Sequence, residues 1–248
     1  MAICRLCSED RKLVRAHIIP EAFFRVLRAD GETPLLVTNS PDNYPKRSPI
    51  GVYDPTILCE SCESRFSKID DYGIQVFLNQ FEELFQPVAH QGAPVAFRSR
   101  DTDQELLLRF LVATLWRASV STQPYYGRVR LGPYESLATN VVLEPEQPIS
   151  KIFSAVLSYW TTTEERDYAS QGLMNPFREQ WNGVNAYRFY FGRIVAYIKV
   201  SNQEFHRPLR DLALTKQETL MVVARNFEMS KDFSAMVRMV KESQALRQ

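Results

Sequence analysis

The chain has 248 residues, of which 45% are hydrophobic and 12% aromatic, and its formal net charge at pH 7 is +1. This balance is typical of a globular protein with a sizeable core, and it excludes a general basic field that would attract nucleic acid. Any nucleic-acid contact would therefore need a local patch. The sequence contains no run of 18 or more apolar residues, which argues against a membrane-spanning helix.

Two Cys-x-x-Cys pairs account for every cysteine. They are Cys4 with Cys7 and Cys59 with Cys62, and 51 residues separate the pairs. Four thiolates at this paired spacing predict a closed tetrahedral site for structural zinc. The alternatives are ordinary reduced thiols and a disulfide framework. The chain also lacks a charged-then-apolar leader, so we expect a cytoplasmic protein with reduced thiols.

The elements of the first part follow from local patterns. The sequence predicts a short helix over 21–28, strands at 35–37 and 50–53, and turns over the polar segment 39–45. After the second cysteine pair, apolar residues recur with helical spacing over 63–85. Gly73 weakens this helix but need not end it. A link over 87–94, with two prolines and a glycine, closes a first domain at 1–86.

The second domain is predicted over 95–248 and opens with a helix from Glu105 that is apolar on nearly every face. Such a helix should be central and buried. Arg109 and Arg117 interrupt the apolar pattern, so each must find a partner. A carboxylate or a backbone carbonyl at the helix margin is the leading interpretation, and a ligand-binding arginine is the alternative.

The remaining elements of this domain are strands and a terminal helix. Segments 187–191 and 194–200 predict an antiparallel hairpin around Gly192, and 219–224 predicts a third strand. A helix begins after Ser230, a suitable N-cap. The overall expectation is an α+β protein, with an N-terminal metal finger and a larger α+β domain built on a buried helix and a small sheet.

Three segments together resemble a known family. The first cysteine pair, the run AHIIP at 16–20 and the run DPTILCESCE at 54–63 are similar to the zinc-containing branch of the HNH (His-Me finger) endonucleases. The resemblance implies a treble-clef ββα-metal finger over 1–86, stapled by the four cysteines. It also implies hydrolysis of phosphodiester bonds, with DNA as the expected substrate, in bacterial defence against phage.

The resemblance assigns catalytic roles to three residues. His17 falls on the general base, Asp54 on the asparagine that fixes the loop, and Glu63 on a histidine that binds the catalytic Mg²⁺ or Mn²⁺. Asp54 would be a loop anchor or a second ligand. Ala16 stands where another ligand often precedes the base, and it offers none. A structural role for His17, within the finger or at zinc, is the competing interpretation.

Basic residues around the finger are candidate phosphate contacts, namely Arg15, Lys46, Arg47 and Arg65. A solvated face with mixed ion pairs is the alternative. His90 and His206 have no such context and are interpreted as surface or packing residues. The rival to the nuclease is a zinc-stabilised binding or adaptor protein without catalysis. In either case 95–248 is a candidate surface for a protein partner.

Overall fold

The computed structural model of the protein describes residues 2–28, 35–37, 46–48, 50–163, 172–181 and 183–245. Its strands are β1 (Ala2–Ile3), β2 (Asp10–Arg11), β3 (Leu13–His17), β4 (Leu35–Val37), β5 (Lys46–Arg47), β6 (Tyr53–Cys59), β7 (Gln86–His90), β8 (Ala93–Ser99), β9 (Phe153–Thr161), β10 (Gly172–Met174), β11 (Phe177–Trp181), β12 (Val184–Phe191), β13 (Ile194–Val200) and β14 (Leu220–Asn226). Its α-helices are α1 (Ala22–Arg25), α2 (Glu60–Glu63), α3 (Ser67–Ile74), α4 (Phe81–Leu84), α5 (Gln104–Val120), α6 (Glu135–Leu143), α7 (Leu209–Leu212) and α8 (Lys231–Ala245). The mixed helix-and-strand class expected from the sequence is confirmed. Among the described helices, none has the length and apolar character needed to cross a bilayer.

Seven strands form the main sheet, in the order β11-β12-β13-β9-β14-β8-β7. Neighbours are antiparallel except for β14 and β9, which run parallel. Gly192, with a φ of +63°, turns the chain between β12 and β13, so the predicted hairpin is confirmed. The strand predicted at 219–224 is confirmed as part of β14.

The segment predicted as a link over 87–94 was interpreted wrongly. It forms the β7–β8 hairpin at one border of the main sheet. Pro87 lies in β7, which has a partner on one side only, and an edge strand tolerates a residue without a backbone N–H. The proline and glycine content that suggested a link therefore indicates an edge hairpin.

Helix α5 is the buried centre that the sequence predicted. Every residue from Leu107 to Val120 is buried, and the Asp103 carboxylate caps the helix by accepting from the Leu106 N–H at 3.0 Å. The helix packs on β9 and β13 on one side and contacts α3 and α6 on others. Gly73 lies within α3, and a Cβ there would meet the ring of Phe110 at 2.5 Å. Glycine therefore permits the close approach of α3 to α5.

The first 86 residues contain an antiparallel hairpin followed by a helical run. Strand β3 pairs with β6 so that Leu13 faces Cys59 and His17 faces Tyr53. Strand β6 runs directly into α2, and helical turns of several types then continue to Leu84, with one irregular residue at Gln80. The helix predicted over 63–85 is therefore present as a segmented run. The polar segment 39–45 lies outside the described residues.

The two predicted domains share one hydrophobic cluster. The ring of Phe23 lies 6.0 Å from that of Phe110 and 5.2 Å from that of Phe191. Phe66 stacks on Trp116 with ring centres 5.9 Å apart. Strand β4 also pairs in parallel with β10, which joins the two parts through backbone hydrogen bonds. The division at residues 86 and 95 stays a prediction.

Candidate metal and catalytic site

The four cysteine sulfurs converge on one point. The Sγ atoms of Cys4, Cys7, Cys59 and Cys62 all lie within 4.8 Å of one another, and Cys7 Sγ is 4.0 Å from Cys59 Sγ. Sulfurs around a tetrahedral zinc ion with Zn–S bonds of about 2.3 Å are about 3.8 Å apart. The hydroxyl of Ser61 lowers the pKa of Cys59 to about 6, which favours its thiolate, whereas burial raises the pKa of Cys62. The predicted cluster is confirmed, and it fits a metal ion such as zinc.

Backbone hydrogen bonds bring the two cysteine pairs together. In the first turn, the Ser8 N–H donates to the Cys4 carbonyl at 2.9 Å, and Ser8 has a φ of +61°. The Arg5 N–H donates to the Ile57 carbonyl at 2.8 Å, which fixes this turn to β6. The Cys59 N–H points at Cys4 Sγ at 3.4 Å. The second pair thus meets the first through the strand that precedes it.

His17 lies at the end of β3 with its imidazole half-buried. Its ring contacts Tyr53 edge to face, with centres 6.0 Å apart. The Nε2 atom is buried without a hydrogen-bond partner. The backbone of Ile50 lies close enough to raise the pKa of the imidazole. Gly51, with a φ of +79°, turns the chain from Ile50 toward β6.

The surroundings of His17 keep its imidazole neutral. Burial lowers the pKa of His17, the Glu21 carboxylate and the Ile50 backbone oppose this, and the cations Arg117 and Arg25 lower the pKa further. A neutral imidazole carries a lone pair on one of its two ring nitrogens, and that nitrogen can accept a proton.

Glu63 lies close to the ion pair of Arg117 with Asp70, a partner that the sequence did not identify. The Arg117 guanidinium donates to both carboxylate oxygens of Asp70, at 2.7 and 2.6 Å, and its carbon lies 4.6 Å from the centre of the Phe66 ring. Burial lowers the pKa of Arg117, but the Asp70 carboxylate outweighs this, so the pKa is raised and the guanidinium stays charged. The Glu63 Oε2 atom is buried without a hydrogen-bond partner.

The charge of Arg117 affects the pKa of each of three titratable groups in the site. Its charge acts on His17, on Glu63 and on Asp70. Burial raises the pKa of Glu63, Arg117 opposes this, and Asp70 adds to it. The structural interpretation of Arg117, a pairing with a carboxylate, is confirmed. Arg109 likewise pairs with Glu105 at 2.8 Å.

Asp54 is fully buried and accepts five hydrogen bonds. Its Oδ1 accepts from the N–H and the hydroxyl of Thr56, and its Oδ2 accepts from the Ser121 hydroxyl and from the N–H and hydroxyl of Thr122. Burial would raise the pKa of Asp54, but these bonds outweigh it and hold the pKa below its usual range. This geometry favours the loop anchor over the second metal ligand. A catalytic role for Asp54 stays a prediction.

Two of the four candidate phosphate contacts, Arg15 and Arg65, have exposed side chains. Arg15 is exposed on β3, with its guanidinium 5.2 Å from the centre of the Tyr53 ring. Arg65 is exposed in the helical turn after α2. Lys46 and Arg47 form β5, and their side chains lie outside the described part of the structure. Nucleic-acid contact stays a prediction for all four residues.

Comparison with protein-family models, with curated proteins and with solved structures finds no match for this chain. The site is therefore interpreted from its own geometry. Among the described residues, the four cysteines are the one group of three or more metal-ligating side chains with converging atoms. His17 and Glu63 each present one buried atom without a partner, and neither belongs to such a group.

Proposed function

We propose that the first part of the chain is a treble-clef zinc finger of the HNH type, and that the protein hydrolyses phosphodiester bonds in DNA. The observation that carries this proposal is the state of His17. Its Nε2 is buried without a hydrogen-bond partner, and burial together with two nearby guanidinium groups favours the neutral form. Most buried polar side-chain atoms in folded proteins have a partner, so this nitrogen requires an explanation, and a role as a base supplies one.

In this proposal each site residue has one task. His17 Nε2 accepts the proton of a water molecule as that water attacks phosphorus, and the bond to the leaving sugar oxygen breaks. The edge-to-face contact with Tyr53 holds the plane of the imidazole ring. Asp54 holds β6 against the loop after α5, which keeps Tyr53 and the His17 end of the hairpin in place.

Two metal ions have separate roles here. The four cysteines would hold zinc, whose binding energy joins two distant stretches of the chain. Glu63, which has one unpartnered oxygen, would hold Mg²⁺ or Mn²⁺ together with substrate phosphate. That cation would supply charge stabilisation at the phosphate and the leaving oxygen. Arg15 and Arg65 would contact the nucleic-acid backbone.

The test is a plasmid-nicking assay on the zinc-loaded protein with Mg²⁺ or Mn²⁺. His17→Ala should lower the rate by about 10²- to 10⁴-fold, because a general base contributes on that order. His90→Ala is the matched control, since His90 is an exposed histidine on β7. Both variants should retain one zinc per chain by elemental analysis. Equal nicking by wild type and His17→Ala, after repurification removes contaminating nuclease, would falsify the base assignment.

A zinc-stabilised adaptor is the second candidate, and two observations favour it. The His17 Nε2 atom, which would act as the base, is buried away from solvent. No group of three metal ligands apart from the cysteines is present in the described part of the chain. A manganese titration of the zinc-loaded protein, followed by electron paramagnetic resonance, separates the two candidates. The nuclease should bind Mn²⁺ beyond its zinc, with weaker binding in Glu63→Ala than in the exposed control Glu60→Ala. An adaptor should bind none.

Binding to DNA can be tested separately from cleavage. DNA affinity measured against salt concentration has a slope that falls by about 0.9 for each phosphate contact removed. Arg15→Gln and Arg65→Gln should each reduce the slope by about that amount, and the exposed control Arg98→Gln should leave it unchanged. Slopes that do not change would remove these two residues from the interface. A role in defence against phage stays a prediction.

A further inference from the structure

A cavity lies at the end of the main sheet where β9 begins and β13 ends. It encloses about 290 Å³ and shares no residue with the cysteine and histidine site. The buried side chains of Leu108, Phe205 and Ala213 contribute apolar wall. Glu204 and Lys216 lie at its rim, paired at 3.3 Å. The cavity thus has an apolar body and a charged margin.

Two polar side chains form the buried floor of this cavity. Ser154 on β9 faces Lys199 on β13 in the strand register, so their side chains lie on the same side of the sheet. Ser154 is 7% exposed and Lys199 is 3% exposed. The ammonium of Lys199 donates to the carbonyls of Lys151 and Ser201, at 2.8 and 2.6 Å.

These two groups have donor capacity that the protein does not use. An ammonium carries three protons, and carbonyls accept two of those on Lys199. The Ser154 hydroxyl is buried without any hydrogen-bond partner. Burying a charge without a carboxylate, and a hydroxyl without a partner, destabilises the folded chain. A bound oxyanion would satisfy both groups together.

The charges around the floor are consistent with an anion. Burial lowers the pKa of Lys199 to about 8, Glu204 opposes this, and Lys216 adds to it. Lys199 is thus mainly protonated at neutral pH. Two carboxylates line the cavity, and both are paired with cations. Glu204 lies between Lys216 and Arg210, at 3.3 and 3.8 Å, and Glu105 pairs with Arg109 at 2.8 Å.

We propose that this cavity binds a small monocarboxylate with an apolar body, whose two oxygens accept from the Lys199 ammonium and the Ser154 hydroxyl. Two available donors match the two oxygens of one carboxylate. An inorganic phosphate would bring further oxygens and charge against the apolar wall, where they would lack partners. The volume limits the ligand to a small molecule.

The test measures binding to the full-length, zinc-loaded chain by saturation-transfer NMR and calorimetry. The probes are straight-chain carboxylates from butanoate to octanoate, hexan-1-ol as the uncharged match of hexanoate, and inorganic phosphate. Hexanoate should bind about tenfold more tightly than hexan-1-ol, because its hydrogen bonds involve a charge. Ser154→Ala should lose about fivefold or more of the hexanoate affinity and less of the hexan-1-ol affinity, because a hydrogen bond to a charged acceptor is the stronger one.

Two further variants separate the site from general charge effects. Lys199→Met should lose the preference for hexanoate over hexan-1-ol, whereas Lys68→Met, at an exposed lysine of α3, should keep it. If Lys199→Met does not fold, Ser154→Ala still decides, because it removes only an unpartnered hydroxyl. Equal affinity for hexanoate and hexan-1-ol, unchanged hexanoate binding in folded Ser154→Ala, or tighter binding of phosphate would each overturn the proposal.

Discussion

Asp54→Asn replaces one carboxylate oxygen by an NH₂ group, and it tests how the β3–β6 hairpin is joined to the loop after α5. Two backbone N–H groups point at opposite oxygens of Asp54, that of Thr56 at Oδ1 and that of Thr122 at Oδ2. An asparagine amide has one acceptor oxygen and one NH₂ group. In either amide orientation, one of the two backbone N–H groups faces another donor. The hydroxyls can rotate to accept, but a backbone N–H cannot.

The expected cost follows from the loss of that acceptor and of the charge. A buried N–H left without a partner costs about 1–3 kcal/mol, and a bond to a charged acceptor is worth more than a neutral one. Asparagine is neutral, so the variant also avoids the cost of burying a charge, which offsets part of the lost stability. We expect Asp54→Asn to lower the free energy of unfolding by about 2–4 kcal/mol.

Urea unfolding at pH 7 with zinc present measures this difference. Asp71→Asn is the matched control, because Asp71 is exposed on α3 and the chemical change is the same. The pKa of Asp54 is held below its usual range, so its stabilisation is full above the unfolded-state pKa and is lost as the pH falls through the folded-state value. The gap between wild type and Asp54→Asn should therefore narrow below about pH 4. A loss under about 1 kcal/mol at pH 7 would refute the acceptor argument.

Three other outcomes are expected. Elemental analysis should find one zinc per chain, and a strong chelator should remove it together with much of the thermal stability measured by circular dichroism. Arg117→Met should lower the free energy of unfolding in urea by about 3–5 kcal/mol, because it leaves the Asp70 carboxylate without its partner. Gly73→Ala should cost about 1–3 kcal/mol in the same assay, since its Cβ would overlap the Phe110 ring, and Phe110→Leu in the same chain should recover part of that loss.

Local signals in the sequence predicted the elements that depend on a few neighbouring residues. The spacing of the cysteine pairs predicted the metal cluster, and the apolar run from Glu105 predicted the buried helix. Ser230 was a correct N-cap, because its Oγ accepts from the Phe233 N–H at 3.0 Å. Each of these features is recognised from short motifs or from one continuous segment, although the metal cluster joins two motifs that are 51 residues apart.

Features that depend on distant partners could not be predicted in the same way. The pairing of β9 with β14 joins residues that lie more than one element apart, and no local pattern specifies it. The acidic partner of Arg117 could not be identified either, because Asp70 lies 47 residues earlier in the chain. Glu63 and Asp70 are seven residues apart, a spacing that puts both on one helical face, and that signal could have indicated their shared environment.

The residues around His17 come from both predicted domains, so the second domain could influence the protonation of this histidine. Helix α5 supplies Arg117, whose charge lowers the pKa of the imidazole, and the loop after α5 holds Asp54. A shift of α5 would therefore change both the protonation of His17 and the anchoring of β6. Helix α5 contacts both α3 and the main sheet, so a change in the sheet could reach His17 through α5 without the movement of a separate domain. The buried guanidinium of Arg117 joins α5 to α3 through its ion pair with Asp70.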